Sequence, residues 1–193
     1  MSDRFSPRCS RRVLLGALIG TAAVSAPFAA LAGFNFFTSE YTASRDELQS
    51  LIARRFPVQQ RYAEIFTVSL RDPRLSLDGR SNRASITALL SIASPLLRSQ
   101  AVEGVVSVSS GLWYDAPARA LRLDRPQAER LELQGVTGRD AEQLQQVGAV
   151  VAQELLRNQP LRTFTAEELT VGRKTYEIGD IKVQDDGITV QLK

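Results

Sequence analysis

The chain has 193 residues, no histidine and one cysteine, and its 24 basic and 21 acidic side chains give a formal net charge of +3. The absence of histidine excludes Ser-His-Asp and Cys-His catalysis and the common histidine-containing zinc sites. Residues 1–32 carry four arginines and one aspartate, so the rest of the chain has 20 basic and 20 acidic residues. Such a neutral domain offers no electrostatic reason to expect nucleic-acid binding.

Residues 1–32 have the pattern of an export signal. Four arginines precede an uncharged stretch, 13–32, which ends in Ala30-Leu31-Ala32 and so places small residues at both key positions of a signal-peptidase site. Three interpretations are open: an ordinary secretory signal, a twin-arginine signal around Arg11-Arg12, and an uncleaved membrane anchor.

Cleavage before Gly33 is the favoured interpretation, because glycines and Pro27 dilute the apolar stretch. It would remove Cys9 and leave a short leader, 33–43, followed by one domain, 44–193. We therefore expect a periplasmic protein. Anchoring in the inner membrane by an uncleaved segment is the alternative.

A helix is predicted directly after the leader. Ser44-Arg45-Asp46-Glu47 is a capping box, in which a hydroxyl and a carboxylate satisfy free amides at the start of a helix. Apolar residues follow at helical spacing, and Pro57 ends the helical pattern. These apolar residues are Leu48, Leu51, Ile52 and Phe56.

The region 61–136 alternates apolar and polar residues with a period of two, which predicts a four-stranded antiparallel meander with one apolar face. The apolar parity changes across Asp72-Pro73, and this predicts a bulge or bend of the kind that a strongly curved sheet needs. The predicted turns are 78–82 and Asp115-Ala116-Pro117.

Residues 139–158 change to a period of 3.6, which predicts a long helix with an apolar stripe of Leu144, Val147, Val151 and Leu155. Gly148 in mid-helix suggests that its backbone approaches the sheet closely. Two alternating segments around Asp185-Asp186-Gly187 predict a terminal β-hairpin. The expected fold class is therefore α+β.

This order of elements resembles the YceB-like family of bacterial envelope lipoproteins. The resemblance covers roughly 41–193 and includes the entry at Tyr41-Thr42, the acid-capped helix, the curved meander, the long helix and the terminal hairpin. It implies a tubular lipid-binding (TULIP-like) fold, in which a strongly bent sheet wraps around a long helix, and it implies a lipid or apolar ligand. This chain departs from the family because Phe34, rather than a lipidated cysteine, follows Leu31-Ala32-Gly33.

Acidic clusters are the remaining candidates for chemistry. Asp180, Asp185 and Asp186 suggest a calcium site, but Asp-Asp-Gly between strands is typical of a turn. Glu167-Glu168 and Asp140/Glu142 have the composition of a catalytic carboxylate pair, yet solvated helix starts explain them better. The sequence therefore predicts a protein that is not an enzyme and has no cofactor or metal.

The predicted site is an apolar groove between the sheet and the long helix. Its candidate walls are Ile86, Leu90, Val106, Val108, Val151 and Leu155, and its candidate mouth is Trp113 and Tyr114. The leading hypothesis is an envelope protein that binds a lipid or another apolar small molecule. The alternative is that the six aliphatic residues fill a dry core, and that the protein is a structural or protein-interaction component of the envelope.

Overall fold

The computed structural model describes residues 34–35, 40–97, 101–171 and 173–193. The predicted export signal lies outside the described residues. The helices in the described part are α1 (Arg45–Ala53) and α2 (Arg139–Asn158). The strands are β1 (Phe34–Asn35), β2 (Glu40–Ser44), β3 (Val58–Tyr62), β4 (Phe66–Asp78), β5 (Arg83–Ala93), β6 (Ala101–Asp115), β7 (Ala120–Leu133), β8 (Pro160–Thr163), β9 (Thr170–Val171), β10 (Lys174–Thr175), β11 (Ile178–Val183) and β12 (Gly187–Leu192).

The main sheet is antiparallel and strongly curled, like half of a barrel. Its strand order is β3-β4-β5-β6-β7-β8, so every strand pairs with its neighbour in the sequence. The predicted four-stranded meander is the centre of this sheet, formed by β4 to β7. The α+β class and the strong curvature are thus confirmed. The alternation in the short edge strands β3 and β8 is too weak to predict them from the sequence.

The bend predicted at Asp72-Pro73 is a break in the pairing of β4 with β5. The register shifts between Arg71 and Arg74, and Asp72 has a φ of 51°. Gln49 of α1 compensates for this break: its side-chain amide donates to the Pro73 carbonyl at 2.7 Å, and its Oε1 accepts from the Leu75 amide at 2.7 Å. The bulge therefore curves the strand without leaving these two backbone groups unpaired.

Helix α1 begins where the sequence predicts. The Ser44 hydroxyl accepts a hydrogen bond from the Glu47 amide at 3.2 Å, which is one half of a capping box. The Glu47 carboxylate forms an ion pair with Arg162. Leu48 and Ile52 are buried, so α1 turns its apolar face to the core.

A second sheet has the strand order β1-β2-β12-β11 and contains the predicted terminal hairpin. Strand β12 pairs with β2, so part of the predicted leader is a strand of this sheet. Two hydrogen bonds join the hairpin of β11 and β12 to the β4–β5 turn. The Gly79 amide donates to Asp185 Oδ1 at 2.9 Å, and the Val183 amide donates to Asn82 Oδ1 at 2.7 Å.

Helix α2 packs mainly along β7 and over the face of the sheet that bears Leu90 and Ile92. Of the predicted apolar stripe, Leu144 is buried, and Val147 is half-buried beside an open groove. The other buried residues of the helix are Gly148, Val151, Ala152, Leu155 and Leu156.

Candidate functional site: an apolar groove at one end of the curled sheet

The six predicted wall residues are core side chains. Their exposed fractions lie between 0 and 6%, and all belong to one hydrophobic cluster between the sheet and the helices. None of them lines the cavities described below. These residues are Ile86, Leu90, Val106, Val108, Val151 and Leu155. The interior is therefore filled with side chains at the level of the sheet where these residues lie.

The predicted mouth residues point to opposite faces of β6. Trp113 is 44% exposed, whereas Tyr114 packs edge-on against Phe164 with ring centroids 6.3 Å apart. Partial burial raises the pKa of the Tyr114 hydroxyl. The structure thus separates the two aromatics, because successive side chains of a strand alternate between faces.

An open groove of about 860 Å³ lies at the end of the curled sheet where α2 begins. Of the described residues that line it, seven are apolar, and the others are small or polar. The lining residues are Phe66, Leu96, Leu97, Val102, Gly135, Val136, Thr137, Asp140, Gln143, Leu144, Gln146 and Val147.

The antiparallel topology brings these residues together. Strands β4 and β6 both start at this end, where Phe66 is the first residue of β4 and Val102 the second of β6, and β5 ends there. The segment after β5 contributes Leu96 and Leu97. The β7–α2 connection and the first turns of α2 form the opposite wall. One end of the sheet therefore collects apolar side chains from four separate segments.

Large exposed apolar side chains surround this end. Leu96 is 72% exposed, the end of β3 adds Tyr62 at 40%, and the β3–β4 turn adds Ile65 at 42%. Monomeric proteins rarely leave large apolar side chains clustered in water without a binding role. This combination of an open groove and an apolar rim makes it the candidate site.

The groove can hold a ligand through van der Waals contacts and hydrogen bonds. Among the described residues that line it, Asp140 is the only titratable one, and the amides of Gln143 and Gln146 and the Thr137 hydroxyl provide other polar groups on the helix side. No group of three potential ligands that could hold a metal ion is found in the described part of the chain. This arrangement suits an apolar ligand with a small polar end.

One feature of the sequence points to this site, although it is not part of the alternating pattern of the strands. Leu96-Leu97 follows Pro95 in a connection between strands, where turn-forming polar residues are expected. An apolar pair in such a position indicates either burial or a binding surface. Alternation along the strands gave no information about it, because it lies beyond the ends of the strands.

Comparisons with known proteins do not assign the chain to a family. No protein-family model matches it, and no curated protein matches it significantly. Among the residues that the structure describes, no helix has the length and apolar character needed to cross a membrane. The inference of function therefore depends on the groove itself.

Proposed function

We propose that the protein binds a lipid or another apolar ligand of the cell envelope in the groove at the start of α2. The observation that supports this proposal is an open cavity of about 860 Å³ with mainly apolar walls and an exposed leucine at its rim. Small-molecule sites commonly have volumes of about 300–1,000 Å³ and combine apolar walls with a few polar groups.

The expected affinity follows from the area that such a ligand buries. Each buried methylene group gains about 0.8 kcal/mol, so about ten of them gain about 8 kcal/mol. The loss of translational and conformational freedom offsets several kcal/mol of this gain. An acyl chain would therefore bind reversibly, as a carrier or sensor of lipids requires.

We also propose a relation to the YceB-like family. A bent antiparallel sheet with α2 packed on its aliphatic face is similar to a tubular lipid-binding module, and the order of elements is similar to that of YceB-like envelope lipoproteins. In this interpretation the protein is exported to the periplasm and is not an enzyme. The ligand enters from the open end of the sheet rather than through the filled interior.

A pair of variants on the same helix tests the proposal. Val147 lines the groove, whereas Val150, three residues later, is 53% exposed and is not among the lining residues. Val147→Trp should narrow the groove and weaken binding of a dansyl-labelled fatty acid at least tenfold. Val150→Trp should leave binding unchanged. Circular dichroism melts check that both variants fold, and native mass spectrometry of the wild type checks for co-purified lipid.

A second candidate function is a structural or protein-interaction component of the envelope. The filled interior and the exposed Leu96, Ile65 and Tyr62 favour it, because exposed apolar clusters also bind proteins. No fatty-acid binding by the wild type, together with no co-purifying lipid, would support this function. Equal binding by the two tryptophan variants would instead remove the groove as the ligand site.

A further inference from the structure

The only tryptophan of the chain borders a second cavity, far along β6 from the apolar groove. Trp113 is 44% exposed, and the cavity beside it has a volume of about 590 Å³. Its lining is mostly charged or polar, unlike that of the groove. The lining residues are Trp113, Asp115, Arg122, Leu123, Asp124, Arg125, Arg157 and Asn158.

This cavity continues along the sheet. A smaller cavity of about 290 Å³ shares Asp124 and Arg125 with it and extends to Arg83 and Gln127. Gly111 pairs with Asp124 and lines this extension. Its missing side chain leaves space, since a Cβ there would meet only the Asp124 side chain, at 3.8 Å. The result is an elongated polar depression with an aromatic ring at one side.

Each of the four arginines that line this depression has a carboxylate partner. For Arg83 the partner is Glu129, whose Oε1 lies 3.9 Å from Arg83 Nη2. Arg122 Nε lies 2.9 Å from Asp115 Oδ2, Arg125 Nη2 lies 3.2 Å from Asp124 Oδ2, and Arg157 Nη1 lies 3.5 Å from Glu154 Oε2. An anionic ligand would have to compete with these carboxylates for the guanidinium groups. Each guanidinium has five N–H donors and each carboxylate about four lone-pair sites, so capacity for further hydrogen bonds remains. The depression therefore favours a neutral ligand with many hydroxyl groups.

One polar group of the depression, the Arg122 side chain, is held in place before any ligand binds. Arg122 is fixed from two sides, by Asp115 and by the Asn158 carbonyl oxygen, which accepts from its Nη1 at 2.8 Å. Arg125 has a φ of 48°, and the β6–β7 register shifts between Ser109 and Gly111, opposite this segment. Such a bulge redirects side chains, and fixed side chains lose less entropy on binding.

We infer that this depression is a binding site for a neutral oligosaccharide, independent of the proposed lipid groove. A pyranose ring has an apolar face of C–H groups and a rim of hydroxyls. The C–H face would lie against the electron-rich face of the Trp113 indole. The hydroxyls would accept from Arg122 and Arg125 and donate to Asp124. The elongated form of the depression suits several linked rings rather than one.

The single tryptophan makes the test direct. Intrinsic fluorescence of the full chain is titrated with three probes: triacetylchitotriose, cellotriose and maltotriose. At least one should change the emission of Trp113 in a saturable manner, with a dissociation constant below about 10 mM. For the saccharide that binds, isothermal titration calorimetry should show at least a tenfold loss of affinity in Trp113→Ala.

Val150→Ala is the matched control, because Val150 is an exposed apolar residue that lines none of the cavities described above; this variant should bind the saccharide as the wild type does. The inference is overturned if none of the three saccharides binds, or if Trp113→Ala binds as tightly as the wild type. It is also overturned if inorganic phosphate binds the depression in place of the sugars. Fatty-acid binding in the groove is measured separately, so either site can fail alone.

Discussion

At the scale of single residues, Arg162 connects three parts of the fold. Its side chain is 11% exposed and forms ion pairs with Glu47 of α1 and, at 3.0 Å, with Glu168. Its guanidinium also lies over the rings of Tyr41 and Phe164, 5.1 and 5.3 Å from their centroids. A planar cation with five donors is the one side chain that can make these contacts together.

Arg162→Gln should lower the free energy of unfolding by about 3 kcal/mol, because it leaves partly buried carboxylates without their cation. Arg130→Gln is the control: Arg130 pairs with Glu132, and both side chains are well exposed. This control should cost less than about 0.5 kcal/mol. Urea unfolding measures both values, and similar midpoints for the two variants would contradict a structural role for Arg162.

At the scale of elements, α2 shows how closely a helix can approach the sheet. A Cβ on Gly148 would lie 3.1 Å from both Ile92 Cδ1 and Leu131 Cδ1. The glycine costs about 1 kcal/mol of helix propensity compared with alanine, and close packing offsets this cost. The close approach predicted from this residue is confirmed. The neighbouring Val150 and Val151 point in different directions, with exposed fractions of 53% and 2%.

Val151→Asp should unfold the domain at ordinary temperatures, since an unpaired carboxylate in the apolar core costs several kcal/mol. Val150→Asp makes the same chemical change one residue earlier, on the exposed side of α2, and should change stability by about 1 kcal/mol or less. Thermal melts followed by circular dichroism compare the two. A wild-type melt for Val151→Asp would mean that this face of α2 is not packed on the sheet.

At the scale of the whole molecule, the two ends of the curled sheet differ in chemistry. The end where α2 starts has the apolar groove, whereas the end where α2 finishes has Trp113 and the polar depression. The core between them is filled by aliphatic side chains. Such a core separates the two candidate sites, so we expect their ligands to bind without competition.

At the same scale, the N-terminal segment predicts that the protein is exported. The uncharged segment 13–32 and the Ala-Leu-Ala sequence predict a mature N-terminus at Gly33 in the periplasm. Intact-mass measurement of the protein from the envelope fraction should give the mass of residues 33–193. A species that retains Met1 would instead identify an anchored protein.

The sequence by itself determined the elements whose pattern is local. The start of α1 is predicted by a hydroxyl residue with an acidic residue three positions later. Strands β4 to β7 are predicted by the alternation of apolar and polar residues. The parity change at Asp72-Pro73 located the bulge, because a shift of one residue moves side chains to the other face. These signals depend only on neighbours in the chain.

The tertiary structure alone decided which apolar residues fill the core and which leave a groove. Alternation shows that Ile86 and Val106 lie on the same face of the sheet. The distance from that face to α2, however, depends on the curvature of the sheet and on how closely Gly148 lets the helix approach. The groove is formed instead by the ends of strands and their connections, including Leu96 and Val136. Those residues are distant in the sequence, so no local pattern brings them together.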